Sequence, residues 1–251
     1  NGQTYISGIK DVYYSVKEFD NPTEKDLENF ASVAMNNETG EYNFTVSDDF
    51  GGTYYIYAVD KAGNIGTNSV VVKVDKTAPE FGETNVDLED LSKTWTNDEI
   101  VITGNVSDAL SGITDEGNFS FAFTDKNKEN VEVEYKFEYN STTENSGEYT
   151  LIISQQTFCG DITLICSDNA GVPQTIIFSV LMDKDNCKVI SIKPDADDWV
   201  NRGVNIEVEV TDETSGVKEV SAELYDESGV LVKEQPSVTC GKENACYNIS
   251  I

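Results

Sequence analysis

The residues of this chain best suited to chemistry are carboxylates. Asp108 and Asp212 each precede a Ser-Gly turn, and Asp60, Asp168, Asp75 and Asp183 stand near strand ends, where calcium would cross-brace neighbouring domains through hard oxygen ligands. No stretch carries the EF-hand pattern, however, and Asp and Ser before Gly are ordinary turn formers. The first expectation is therefore structural turns with no cofactor, and calcium is the alternative. A glycosidase-like pair of acids is also conceivable in so acidic a chain. The acidic positions recur with an internal repeat or fall on solvated faces, so no catalytic residue is assigned and no enzyme is expected.

Other chemistries are excluded by composition. The 251 residues include 17 Lys+Arg against 46 Asp+Glu and no histidine, for a net charge of −29 and a pI near 4.1. Without histidine there is no Ser-His-Asp or Cys-His pair and no His-ligated metal within the chain. With so few cations, nucleic acid is a poor partner, because that binding rests on Lys and Arg displacing counterions from phosphates. Anionic membrane surfaces are disfavoured for the same reason. No apolar run reaches the ~18 residues of a membrane span, and no direct membrane contact is expected of this segment.

The elements that must position these carboxylates belong to a repeat. Trp95–Ile113 and Trp199–Val217 align without a gap at an offset of 104, with seven of nineteen positions identical. One further step back, from Gly112, lands on Gly8 in Ser7-Gly8-Ile9. A later block, Phe50 to Gly63, matches Phe158 to Gly171, and both run on to an Asp-Lys pair, Asp75-Lys76 and Asp183-Lys184. Gly40-Glu41-Tyr42 recurs as Gly147-Glu148-Tyr149. The expected organisation is a domain over 1–76 lacking its first strands, a complete domain over 77–185, and one over 186–251 lacking its last strands.

Strand periodicity supplies the fold. Val204, Ile206, Val208 and Val210 alternate with polar residues, and Ile100, Ile102, Gly104 and Val106 repeat the pattern. Matching the copies makes Tyr54, Ile56 and Ala58 the inward set, as Ile162, Leu164 and Cys166 are in the second copy. Asp60-Lys-Ala-Gly-Asn64 reads as a hairpin turn, with Val70 to Val74 returning. Short strands separated by turn signals predict an all-β chain of tandem antiparallel β-sandwiches in an elongated array. One short helix is expected in the first copy, over Pro22 to Ala34, because Leu27, Phe30, Ala31 and Ala34 fall at helical spacing.

Four motifs come in order: Trp-Thr-Asn before alternating apolar residues, Ser-Asp-x-x-Ser-Gly-Ile, Asp-x-Ala-Gly-Asn, and Val-Asp-Lys-Thr-Ala-Pro. Together they resemble the tandem bacterial immunoglobulin-like domains of secreted and wall-anchored Gram-positive proteins. The resemblance implies an extracellular, cell-surface or cell-wall setting and a stalk, adhesive or accessory role. The second copy departs from the pattern in having Asp185-Asn186-Cys187 where the first has Thr77-Ala78-Pro79.

The five cysteines are read against that fold. No cysteine lies between Ile100 and Val106 to meet Cys166 in an immunoglobulin-type bridge, so Cys166 is expected to be a buried small apolar residue. A hairpin turning near Gly171 would set Cys159 opposite Cys187, and Cys240 and Cys246 flank a loop short enough to be bridged. Unpaired thiols are the alternative. The spacings 7, 21, 53 and 6 contain no Cys-x-x-Cys zinc pair.

If Tyr54, Ile56 and Ala58 face inward, Tyr55 and Tyr57 face outward, and Tyr13 joins them from the neighbouring strand. That would make an exposed tyrosine patch suited to binding, the alternative being cross-strand pairing that only stabilises the sheet. The function expected is a non-enzymatic segment of a bacterial surface protein that binds a host or cell-surface protein, host immunoglobulin included, or a glycan. A passive spacer and an accessory module of a secreted carbohydrate-active enzyme are the alternatives.

Overall fold

The computed structural model describes residues 7–154, 157–242 and 244–250, with the side chains of 224 and 232–250 outside the description. The chain is all-β apart from single helical turns, and every pairing between named strands is antiparallel.

The first copy contributes β1 (Ile9–Ser15), α1 (Glu24–Leu27), β2 (Ala31–Val33), β3 (Phe50–Asp60) and β4 (Ile65–Val74), in one sheet of order β2-β1-β3-β4. The second contributes β5 (Glu80–Thr84), β6 (Ile100–Ser107), β7 (Phe119–Asp125), β8 (Lys136–Thr143), β9 (Ser146–Ile153), β10 (Phe158–Ser167) and β11 (Pro173–Met182). These form two sheets, β5-β6-β9-β8 and β11-β10-β7. Four and three strands in that order are the topology of a constant-type immunoglobulin sandwich. In the third copy β12 (Lys188–Pro194), β13 (Asn205–Thr211) and β16 (Asn244–Ser250) make one sheet, and β14 (Val217–Tyr225) pairs with β15 (Leu231–Lys242).

Alternation sets the core of the second copy. Ile100, Ile102 and Val106 of β6 and Ile162, Leu164 and Cys166 of β10 meet Tyr149, Leu151, Ile153, Phe178 and Val180 in one buried cluster between the sheets. Each fully buried aliphatic side chain there contributes on the order of 1.5–3 kcal/mol. Gly104 interrupts the aliphatic row for a steric reason: a Cβ there would stand 2.6 Å from the Tyr149 hydroxyl. Gly112, at φ +78°, has no room for a side chain either, since its Cβ would lie 2.1 Å from the Glu144 carbonyl oxygen.

The Trp-Thr-Asn motif also has a structural part. Thr96 pairs in parallel with Met182, donating its N–H to Leu181 O and accepting from Asp183 N, and so holds the point where β11 leaves the sandwich.

Three differences stand out, two from expectation and one between copies. The helix is one turn, Glu24–Leu27, capped where Asp26 accepts from Thr23 N and Thr23 Oγ1; Ala31–Val33 instead pairs with β1. One turn of helix gains little against its nucleation cost, whereas the free edge of β1 gives each of those residues a partner. The segment Tyr42–Val46 is not a strand, although its counterpart β9 is. β9 lies between β6 and β8, and no described strand of the first copy offers Tyr42–Val46 that pairing beyond an isolated Met35–Tyr42 bridge.

The third concerns the cysteines. The β10–β11 hairpin turns at Asp168–Val172, so Cys159 lies opposite Leu181 and Cys187 falls beyond the end of β11. Cys159, Cys166 and Cys187 are all free thiols, and the side chains of Cys240 and Cys246 lie outside the described residues. Cys166 is fully buried, and burial, with Asp168 and Asp108 nearby, pushes its thiol up to about 12.

Titration of denatured, unreduced chain with a thiol reagent is expected to count at least the three thiols Cys159, Cys166 and Cys187; fewer would show that one of them is bridged. Gly112→Ala is expected to lose roughly 1–3 kcal/mol from the left-handed backbone alone, and more from overlap with Glu144, read as a lower urea midpoint.

Candidate functional site

The tyrosines singled out by sequence come together, but under cover. Tyr13 sits opposite Tyr57 across β1 and β3, with Tyr55 two residues along the same face. Tyr57 is 1% exposed, and Tyr13 and Tyr55 are half-buried. The residues expected to face inward, Tyr54, Ile56 and Ala58, occupy the opposite face of the sheet. α1 and its flanks explain the difference. Leu27, fully buried, together with Phe19 and Phe30 packs onto Tyr57, with Phe30 and Tyr57 ring centroids 5.4 Å apart. The Tyr57 hydroxyl accepts from Phe19 N at 3.0 Å, which satisfies the polar end of a ring that is otherwise in an apolar setting.

The exposed patch expected of Tyr13, Tyr55 and Tyr57 is thus a small satellite core. The other face of this sheet carries its own aromatic group, with Tyr14 stacked on Phe44 at 4.3 Å and Tyr54 against both Phe44 and Phe50.

The carboxylates hold the more unusual arrangement. Among the described residues, the buried polar side chains are Asp108, Asp168, Asp183 and Asp212, all of them repeat aspartates. Asp108, Asp168 and Asp212 each close a tight turn. Asp108 Oδ1 accepts from Leu110 N at 3.1 Å and Gly112 N at 2.7 Å; Asp212 Oδ1 does the same for Thr214, Ser215 and Gly216. Asp168 Oδ1 accepts from Ala170 N and Val172 N, as Asp60 Oδ1 does from Ala62 N and Asn64 N. The side chain and backbone of Asn64 lead the effects holding the Asp60 carboxyl down at about 2.

The two turn types are tied to each other. Asn169 donates its N–H to Gly112 O and its Nδ2 to Ser111 O. In the first copy Lys61 N reaches Gly8 O at the matching position.

The aspartate that ends each returning strand joins one copy to the next. Asp75 Oδ2 accepts from Ser111 N at 2.7 Å, across the boundary between the first and second copies. Asp183 Oδ2 accepts from Ser215 N at 3.0 Å across the next boundary. The other oxygen of each folds back on its own linker, to Thr77 N and Asp185 N. Burial alone would raise both carboxyls, but the bonds from Ser111 and Ser215 help hold both below the usual range.

The linker is anchored from behind as well. Asp49 accepts from Lys76 N at 2.7 Å, and Thr157 Oγ1, its counterpart, accepts from Lys184 N at 2.8 Å. Across the first junction Phe50, Gly51 and Val74 face Leu110, Ser111 and Ala170 over a cleft.

At that junction three carboxylates converge. One oxygen from each of Asp75, Asp108 and Asp168 lies within 4.8 Å of the other two, the only such group of potential metal ligands among the described residues. Sequence placed these residues near strand ends without showing that they meet. Asp75 and Asp183 recur at an offset of 108 and Ser111 and Ser215 at 104, so no spacing in the sequence marks them as residues in contact.

No protein-family model and no curated protein matches the chain. Among solved structures, it is similar to protocadherin gamma B2 extracellular cadherin domains 3–6, at 14% identity and a TM-score of 0.32, over 95% of this chain and 64% of that one. A second likeness is to protocadherin gamma B2 extracellular cadherin domains 1–5, at 13% identity and a TM-score of 0.33, over 95% and 52%. A third is to a complex of Dpr2 Ig1-Ig2 with DIP-Theta Ig1-Ig3, at 9% identity and a TM-score of 0.25, over 70% and 85%. The chain therefore spans less than two thirds of either protocadherin chain. The class established by the chain's own topology is the antiparallel β-sandwich of immunoglobulin type.

Tyr57→Phe is expected to lose about 1 kcal/mol, since the buried Phe19 N–H would have no acceptor. The measurement is chemical denaturation; an unchanged midpoint would mean that Phe19 finds another partner.

Proposed function

We propose that this chain is a non-enzymatic segment of an extracellular bacterial surface protein, in which immunoglobulin-like domains over 1–76, 77–185 and 186–251 stack into a semi-rigid rod. The observation that supports this is the recurrence of one junction bond, Asp75 to Ser111 and Asp183 to Ser215. A bond repeated at successive boundaries serves orientation of one domain on the next, which a flexible tether does not need. The acidic surface suits a solvated projecting segment.

The rod's task is to hold a binding surface away from its anchor, and its partners are host or cell-surface proteins or glycans. With Tyr57 buried and Tyr13 and Tyr55 half-buried, ligand contact falls to features that one copy has and its neighbours lack. The segment carrying α1 over the first sheet is such a feature.

Small-angle scattering tests the rod. The double variant Asp75→Ala/Asp183→Ala is expected to broaden the distribution of interatomic distances while circular dichroism stays unchanged. Acid should act in the same direction. Both carboxyls sit below their ordinary value, so their contribution is complete above pH of about 4 and is lost as pH falls through the lowered values. A parent chain already as broadly distributed at pH 7 as the double variant would overturn the rod.

A further inference from the structure

We propose that Asp75, Asp108 and Asp168 form a calcium site at the junction between the first and second copies. The three carboxylates come from the ends of β4, β6 and β10, and one oxygen from each lies within 4.8 Å of the other two. Oxygens bound to one ion at Ca–O distances of ~2.3–2.6 Å stand at most about 5 Å apart.

Turn aspartates gather at strand ends in many β-proteins, so proximity alone would say little. The second observation is the state of their spare oxygens. Oδ1 of Asp108 and Oδ1 of Asp168 are each engaged by two backbone N–H groups. Oδ2 of both is buried with no hydrogen-bond partner, on side chains only 4% and 3% exposed.

A buried carboxylate oxygen without a donor carries its full desolvation cost. Here the two carboxylates that carry such oxygens stand beside a third, which adds repulsion between like charges. Lysine or arginine relieves none of it, since the ion pairs among the described residues involve other acids. A bound cation offsets all three costs together.

The donor set selects the ion. Three carboxylates and no imidazole favour a hard cation over zinc or copper. Cys166 is not in the group whose ligand atoms converge. Magnesium requires near-octahedral oxygens at ~2.0–2.1 Å, a tighter cluster than calcium accepts. Asp75 already spans the boundary through Ser111, so the ion would bind the end of one copy to two turns of the next. Asp183 and Asp212 at the second junction have no third carboxylate among the described residues, so one site is expected per chain.

Calorimetric titration of the chelator-stripped 251-residue chain with calcium chloride tests the proposal, with magnesium chloride in parallel. The expected result is one site, half-saturated at roughly 0.1–1 mM as in extracellular calcium modules, with a melting temperature that rises with calcium. Asp168→Asn keeps an oxygen for Ala170 and Val172 but removes the charge, and should weaken binding about tenfold or more. Asp75→Asn, on the half-buried linker, does the same without touching the hairpin, and circular dichroism reports whether each variant is folded.

Absence of saturable binding up to about 10 mM calcium, or parent-like binding by folded Asp168→Asn and Asp75→Asn, would overturn the site. Equal affinity for magnesium would overturn the choice of ion. Scattering from the metal-free chain reads the junction separately, so a failed titration leaves the rod standing.

Discussion

Backbone N–H groups with no other partner decide much of this structure. A tight turn after β6 or between β10 and β11 directs two or more amides inward, where strand pairing cannot reach them. An aspartate oxygen accepts them at the cost of placing a carboxylate inside the sandwich. A neutral amide oxygen can also accept two such bonds, as Asn118 Oδ1 does from Thr114 N and Asp115 N, but the charge of a carboxylate strengthens each. From this follow the burial of Asp108, Asp168 and Asp212 and the left-handed glycines that let the turns close.

Much of the fold was legible because strands of a sandwich repeat with period two and the copies could be compared. β6, β10 and β13 bury the residues their alternation predicts, and the Asp-x-Ala-Gly turn is where its glycine implies. Alternation separates two faces without saying what lies over each. In β3 both faces are aromatic or aliphatic, so matching to the second copy chose Tyr54, Ile56 and Ala58, whereas the buried residues of the strand are Tyr57 and Val59, on the face under α1. Phe19, Leu27 and Phe30 are scattered along a loop, and no short-range pattern shows that they converge on Tyr57. The hairpin register failed as a guide to the cysteines for a similar reason, since it depends on where a turn is centred, and a shift of a few residues moves Cys187 off the strand.

The carboxylate group is legible only in three dimensions. Asp75, Asp108 and Asp168 come from three separate strand ends, and each has an adequate local explanation as a turn or linker residue. Those local explanations use one oxygen per side chain at Asp108 and Asp168. What they leave over becomes visible when the turns are stacked on each other through Asn169, Ser111 and Gly112. At the second junction Ser215 N is shared between Asp212 of its own turn and Asp183 of the copy before, so the contact between copies and the turn draw on one atom.

The two halves of the repeat keep different offsets, 104 through the Ser-Gly turns and 108 through the Asp-x-Ala-Gly hairpins. The four additional residues of the second copy fall between those points. The bonds between copies run from Asp75 to Ser111 and from Asp183 to Ser215, and none of these residues lies in the interval that lengthened. Residues can therefore be added between the Ser-Gly turn and the hairpin without changing the groups that make those bonds, as a brick may be carved on its sides without touching the mortar joint.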